Sequence, residues 1–426
     1  RNEHSVGSHG QHFGGDILMG AINVKHTGSG ADVNISSDGT DLLLNGTAIG
    51  GGGGTALELY AENPSSPTAP SATGANAVAI GSNSSASGST SFAAGVNVTA
   101  SALGAFALGR NTTASGNDSF SFGSSALASN TNAIALGANT DATQNSSIAI
   151  GAGAQATSAY SFAVGRNSGG GSAVATSGNA ATAIGGSYAS GTDSFAAAIA
   201  NNTSTYGATG ANSVAIGYQA KAAGAYSFAL DYQSQATGLA SRAIGYQAIS
   251  SGTNSMALGR NANATGSYSY ALAWSKSATN GKLTYGSGQF SSVGDAQTGT
   301  FVLRSDTADA TPEALTTDNS TATTTNQIIL PNNSAYAFHG TIAARQQASA
   351  GTACAAWKIE GLIRREGSAG TTVLVNSATT VLDNTPAWGM ALSADTTNGG
   401  LKIEVTGAAA TNIRWVATIN TSEVTY

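Results

Sequence analysis

Ala75-Asn76-Ala77-Val78-Ala79-Ile80-Gly81, Gly104-Ala105-Phe106-Ala107-Leu108-Gly109, Thr131-Asn132-Ala133-Ile134-Ala135-Leu136-Gly137 and Ser146-Ser147-Ile148-Ala149-Ile150-Gly151 are variants of one phrase. The glycines that close the series, Gly81, Gly95, Gly109, Gly123, Gly137, Gly151 and Gly165, stand 14 residues apart every time. A second series, Ala86, Ala100, Ala114, Ala128, Ala142 and Ala156, lies five residues past each of the first six glycines. A unit this short buries no core alone, so each copy reads as one coil stacked on its neighbours. Such a body points to a geometric function, a rod or head that holds something at a distance, and away from a catalytic pocket.

Composition agrees. Of 426 residues only 9% are charged and 56 are glycine, against about 25% and roughly 7% in ordinary globular domains. Glycine does not recur every third residue, which excludes collagen, and the strict placing of apolar positions argues against simple disorder. A net charge of -6 supplies no basic surface, so no nucleic-acid partner is expected. The single cysteine, Cys354, excludes an intrachain disulfide framework and reads as a small buried hydrophobe. No run of about 20 apolar residues marks a membrane helix. The opening Arg1-Asn2-Glu3-His4 reads as a trimmed or processed end.

Three segments follow from the composition shifts. Residues 1–70 are an attachment stub with a linker stiffened by Pro64, Pro67 and Pro70. Short strands are expected near Ile17–Met19, Ala21–Val24 and Asp32–Ser36, and Asn45-Gly46 is a turn signal. His4, His9, His12 and His26 fall here and read as polar loop rather than as an imidazole metal site, so no metal and no cofactor are expected.

Residues 71–285 are the repeat body. No proline occurs between Pro70 and Pro312, as expected where every coil donates backbone hydrogen bonds to the next. The bulky residues one and three before each closing glycine, such as Phe106 with Leu108 or Ile134 with Leu136, are expected to line the interior, opposite a wall of small residues such as Thr112 and Ala114. Gly88, Gly116, Gly224, Gly238, Gly252 and Gly266 mark a second corner, with Asn130 as a left-handed substitute. Stacking at about 4.8 Å gives roughly thirteen coils and a body about 60 Å long. The spacing breaks in residues 166–213, which read as a bulge or as a receptor-contact loop. Three Tyr-Gln pairs, Tyr218-Gln219, Tyr232-Gln233 and Tyr246-Gln247, recur at 14-residue spacing and should form a ladder. That ladder suits an interchain seam, plain stacking, or sugar contact.

Residues 286–426 lose the period. Alternation in Lys358–Arg364 and Leu401–Val405, with turns at Asn332-Asn333, Glu366-Gly367 and Asn398–Gly400, indicates an antiparallel sandwich or jelly roll. Trp357, Trp388 and Trp415 are candidates for core packing, interchain packing or ligand contact. Glu360, Glu366, Asp383, Asp395 and Glu404 sit in no recognisable glycosidase arrangement, so no catalytic residue is assigned.

The unit closing in Ala-Ile-Gly, Ala-Leu-Gly or Ala-Val-Gly resembles the head repeats of YadA-like trimeric adhesins. That resemblance implies a left-handed parallel β-roll with three chains side by side. The runs Gly294–Thr307, Leu330–Gln346, Ala355–Arg365, Ala394–Leu401 and Ile413–Thr418 resemble a terminal domain of phage tail-fibre proteins, which implies a trimeric distal tip. The expected fold is therefore an all-β homotrimer, a β-roll followed by an antiparallel tip. The expected function is a non-enzymatic phage tail fibre in the virion, bound through its N-terminal region to other tail proteins and through its surface to a host glycan or outer-membrane component. The alternatives are the head of a bacterial trimeric adhesin on the cell surface, or a purely structural virion fibre. Neither a heptad stalk nor a run of membrane-barrel strands is visible, which departs from the adhesin pattern.

Overall fold

The computed structural model describes residues 68–166, 175–197, 205–347, 351–384 and 386–426, together with four short strands between residues 22 and 48. Arg1–Leu59 forms one unit and Tyr60–Tyr426 another. In the first, Ile22–Val24, Val33–Ser37, Leu42–Leu44 and Thr47–Ala48 pair in sequence order as an antiparallel sheet. Leu44 pairs with Thr47, and the Asn45-Gly46 turn signal lies outside the described residues. The four N-terminal histidines and the Gly50–Gly54 run lie outside the described residues.

From Ser71 to Tyr285 the second unit is a parallel β-solenoid. Each coil supplies one strand of three to five residues and one of two residues. Both ladders are in register: Phe106 lies against Phe92 and Phe120, and Ala114 against Ala100 and Ala128. The two-residue strands form a fifteen-stranded sheet, two coils more than the spacing argument counts. At about 4.8 Å per rung the body is roughly 70 Å long.

The interior is alanine. Ala107, Ala135, Ala149, Ala229 and Ala243 from the longer strands, and Ala114, Ala142, Ala222 and Ala236 from the shorter, have no exposed surface. This overturns the expected orientation of the bulky pairs. Phe106 and Leu108, and Ile134 and Leu136, flank the buried alanine and face outward, half-exposed. Period-two alternation places alternate residues on one face but does not say which face is the core. Two such short strands facing each other bring the walls too close for the Phe, Leu and Ile side chains of the longer strands. Thr112 and Ala154 do point inward, as expected. Buried hydroxyls satisfy corner carbonyls: Ser91, Ser119, Ser213, Ser255 and Ser269 each donate to the carbonyl of the glycine three residues back at 2.6–2.7 Å.

The glycines of the second corner are there for a different reason from the one their type suggests. Gly88, Gly116 and Gly224 do not have positive φ. A Cβ on Gly88 would run into the carbonyl oxygen of Ala102, and one on Gly224 into that of Gly238, so close approach of successive coils excludes a side chain. The left-handed residue of that corner is two positions later, as at Asp118, Asn132 and Tyr226, and Asn130 is not left-handed. The two long coils do not interrupt the ladders, because Val164 still pairs with Ile184 and Ala197 with Ile216.

At Leu283–Tyr285 the parallel ladder hands over to antiparallel pairing with Ala296–Thr307. Ile413–Thr425 pairs along that strand and, on its other edge, with Ser334–Gln346. Cys354–Arg365 and Val373–Asp383 complete this sheet. A smaller antiparallel sheet is built around Gly400–Thr406, which pairs with Gly389–Asp395, Glu313–Ala314 and Ile328–Ile329. Phe301, Phe338, Ile359, Ile403, Trp357, Trp388 and Trp415 fill the core they share. Trp415 donates its indole Nε1–H to Thr307 Oγ1 at 2.9 Å, which removes the cost of burying that donor. Cys354 is exposed, contrary to the expectation from its type, because it begins a strand on an outward-facing position.

A buried ion pair joins the last coil to the sandwich. Lys282 Nζ lies 2.7 Å from Glu423 Oε2, which also accepts from Gln297 Nε2 at 2.6 Å, while Thr421 Oγ1 donates to the other carboxylate oxygen at 2.6 Å. The ammonium sits 5.1 Å from the Phe301 ring centroid and 5.4 Å from that of Tyr336. Burial holds the Lys282 ammonium below its ordinary range against the opposing pull of Glu423. Burial also pushes the Tyr336 phenol well above its usual value, and Glu423 adds to that.

Two measurements test this arrangement. Ala229→Leu should lower denaturant stability by about 1–3 kcal/mol through overpacking, whereas a neutral result would return the bulky residues to the interior. Glu423→Gln, which strands a buried ammonium, should cost about 3–5 kcal/mol. Replacing Lys282 by Met and Glu423 by Leu together should cost less than that single change, and simple additivity in the double-mutant cycle would show the pair to be uncoupled.

Candidate attachment surface

The outward residues of the longer strands make one face of the body. Phe92, Phe106 and Phe120 stack with ring centroids 4.7 and 4.8 Å apart. Along the same face Phe122, Leu258, Leu283 and Tyr285 are each between 41% and 53% exposed. Cross-strand partners share a face, so Leu283 carries it to Thr300 and Tyr285 to Thr298. From there it continues through Val302, Val416 and Val424, which are all exposed. An apolar strip this long exceeds what isolated soluble chains ordinarily leave to water.

The Tyr-Gln pairs lie at the corner after the longer strand and form the expected ladder. Tyr218, Tyr232 and Tyr246 stack with centroids 5.1 and 4.9 Å apart and planes within 7°. Gln233 Nε2 donates to Gln219 Oε1 and Gln247 Nε2 to Gln233 Oε1, both at 2.8 Å. Because each ring covers the next, both faces of Tyr232 are occupied, and the stack offers its edges rather than a flat platform. Sequence reading missed the rest of this row. Arg260 and Trp274 continue it at 14-residue steps, with the Arg260 guanidinium 4.9 Å from the Tyr246 ring centroid and 5.4 Å from that of Trp274. The equivalent corner of the early coils carries an amide ladder of its own, Asn83 to Asn97 to Asn111, at 2.9 and 3.0 Å. Identical spacing of amide residues was the signal for it.

Beside the glutamine ladder runs a cleft of about 570 Å³, lined by Gln233, Gln247 and Asn261 of the corner, Gln235 and Asn263 of the short strands, and Gln289 from the loop beyond the last coil. Asn263 Oδ1 is buried there without a hydrogen-bond partner. The cleft is polar and carries no ionisable side chain apart from the phenol of Tyr206, which suits hydrogen bonding to a neutral hydroxylated ligand.

The tryptophans are elsewhere. Trp357, Trp388 and Trp415 are at most 4% exposed, with Trp357 and Trp388 each 5.7 Å from Trp415 by ring centroid, so they hold the sandwich together and present no surface. The carboxylates are engaged structurally. Glu360 pairs with Lys358, Glu366 with Arg364 and Glu404 with Lys402. Burial opposes ionisation of Asp395, but hydrogen bonds from Asn398 and Thr397 outweigh it and hold the carboxyl below its ordinary value. Among the described residues no group of three or more His, Cys, Asp and Glu side chains is placed to hold a metal ion. No helix among them is long and apolar enough to cross a membrane.

None of the curated proteins compared matches the chain. Among solved structures, the crystal structure of tailspike protein gp49 from Acinetobacter baumannii bacteriophage Fri1, described as a capsular polysaccharide depolymerase, aligns at 10% identity and a TM-score of 0.18. The alignment covers 66% of this chain and 42% of the tailspike, so the chain spans less than half the length of that protein, and at this score the likeness carries no argument about fold or activity. Residues 72–97, 100–126, 114–140, 128–154, 142–168, 208–230, 236–262 and 250–272 match the YadA head domain repeat, so these stretches of the parallel β-solenoid are similar to that repeat.

Proposed function

We propose that the chain is the adhesive head of a homotrimeric attachment protein displayed on a cell surface. The observation that carries this reading is the unbroken outward strip of half-exposed Phe, Ile, Leu and Val, one or two to a coil, on a body whose own core needs only alanine. Three such strips brought together would remove the apolar surface from water, at about 25 cal/mol per Å². The match to the YadA head domain repeat supports the same reading. The amide cleft and the edges of the Tyr218–Tyr232–Tyr246 stack, repeated three times on the trimer, are the surface offered to a glycan. Weak contacts there gain strength from the shared tether.

A second reading, a tail fibre carried by a virion, is favoured by one feature. The last coil runs directly into an antiparallel sandwich with no coiled-coil heptads between them, as a fibre ending in a tip would. In that case residues 1–70 would be the segment joined to other tail proteins.

The mass of the full chain in solution, by sedimentation or light scattering, should be three times that of the single chain. Ile134→Asp combined with Ile148→Asp should yield a monomer with unchanged far-ultraviolet circular dichroism, and a wild-type monomer would sink the head assignment. Adhesion of the trimer to matrix-coated surfaces or eukaryotic cells supports the head, adhesion to bacterial envelopes alone supports the fibre, and adhesion to neither removes both.

A further inference from the structure

A second cavity lies where the last two coils meet the sandwich. It has a volume of about 360 Å³, near the small end of the range for ligand pockets. Lys276, Lys282 and Arg365 line it, and no carboxylate does. Lys282 is spent on Glu423. The other two cations make no ion pair among the described residues.

Each is held by its backbone or its neighbours at the wall of the cavity. Gln297 clamps the main chain of Lys276 from both sides, accepting from its N–H at 2.7 Å and donating to its carbonyl at 3.0 Å, so the side chain extends from a fixed point. Arg365 donates one Nη1–H to the Leu330 carbonyl at 2.7 Å, while its Nε is buried with no partner among the described residues. Gly399, at φ 84°, leaves the room that the guanidinium occupies, since a Cβ there would strike Arg365 Nη1.

The remaining wall is mixed. Leu330 and Pro331 give an apolar floor, and Thr279 and Asn398 add hydroxyl and amide groups. Asn398 Nδ2 is already donated to Asp395, whose carboxylate is taken up by that turn. A cavity too large for an inorganic anion, with two cations outside any ion pair among the described residues, an apolar floor and a hydroxyl, matches a sugar ring bearing a carboxylate.

We propose that this junction cavity binds a carboxylated sugar residue, such as a uronic acid, with Arg365 and Lys276 on the carboxylate and the Leu330–Pro331 floor under the ring. The assignment deepens the attachment reading and rests on it for the glycan class. Its failure is distinguishable, because a trimer that adheres to cells but binds no uronate would remove the cavity's role alone.

The test is calorimetric titration of the full chain with D-glucuronate, D-glucose and N-acetyl-aspartate. Glucuronate should bind, glucose at least about tenfold more weakly, and Lys276→Gln and Arg365→Gln should each weaken glucuronate by about tenfold, the factor a lost charge-assisted hydrogen bond brings. Lys276 is exposed, so its variant should keep the wild-type melting temperature and decides the matter even if Arg365→Gln does not fold. No glucuronate binding, equal affinity for glucose, or unchanged affinity in Lys276→Gln would overturn the proposal. Equal or tighter binding of N-acetyl-aspartate would overturn it as well, in favour of an acidic peptide side chain.

Discussion

Successive coils are held together by backbone hydrogen bonds at strand spacing, and the two walls of each coil are strands of only two and of three to five residues. Those two distances set nearly everything else. The width admits alanine, serine, threonine and, at Val98, a valine to the interior, and turns the larger side chains of the longer strands outward. The spacing forbids a Cβ where corners approach, which is why Gly74, Gly88, Gly116 and Gly224 recur although their φ values are ordinary. A globular protein buries its bulky residues and exposes its small ones. Here the relation is reversed, so the surface inherits the hydrophobicity that a core normally consumes.

Repetition then converts single residues into rows. A residue at a given place in the coil meets its own equivalent 14 positions away, so Phe meets Phe, Tyr meets Tyr and Gln meets Gln. Stacked rings and amide ladders satisfy themselves within the chain. What they leave over is the edge of each ring and one donor and one acceptor of each amide. The outward apolar strip has no such internal partner in proportion to its area, and that difference separates the row that suits association from the rows that suit polar contact.

The period, the two strands per coil, the antiparallel pairs after residue 295 and most of their boundaries were legible in the sequence, because 14-residue identity and period-two alternation are local. Three things were not. The orientation of Phe106 and Leu108 depends on how far apart two walls sit, a tertiary distance that alternation does not encode. The role of Gly88 depends on the next coil's carbonyl rather than on its own dihedrals. The pairing of Lys282 with Glu423, 141 residues apart, has no sequence signature at all, and the junction cavity that depends on it was invisible for the same reason. The Tyr218–Gln219, Tyr232–Gln233 and Tyr246–Gln247 ladder was read correctly as a stack, whereas the burial of Trp357, Trp388 and Trp415 left those residues with no surface to offer.

The strand Ile413–Thr425 lies between Ala296–Thr307 and Ser334–Gln346, in the interior of its sheet. Coils close through contacts 14 residues apart and can form one after another as the chain emerges, like links added to a zip. The sheet that seals them cannot, because Ala296 waits for Val424 and loop closure over that separation is slow. During that interval Ala296–Thr307, free to pair with the nearby Leu283–Tyr285, keeps its other edge open and unpaired, the kind of edge that templates association with a neighbouring chain. The order of synthesis therefore gives nascent chains a period in which finished, sticky bodies coexist with unsealed ends, and any association between chains can precede the closing of the seal.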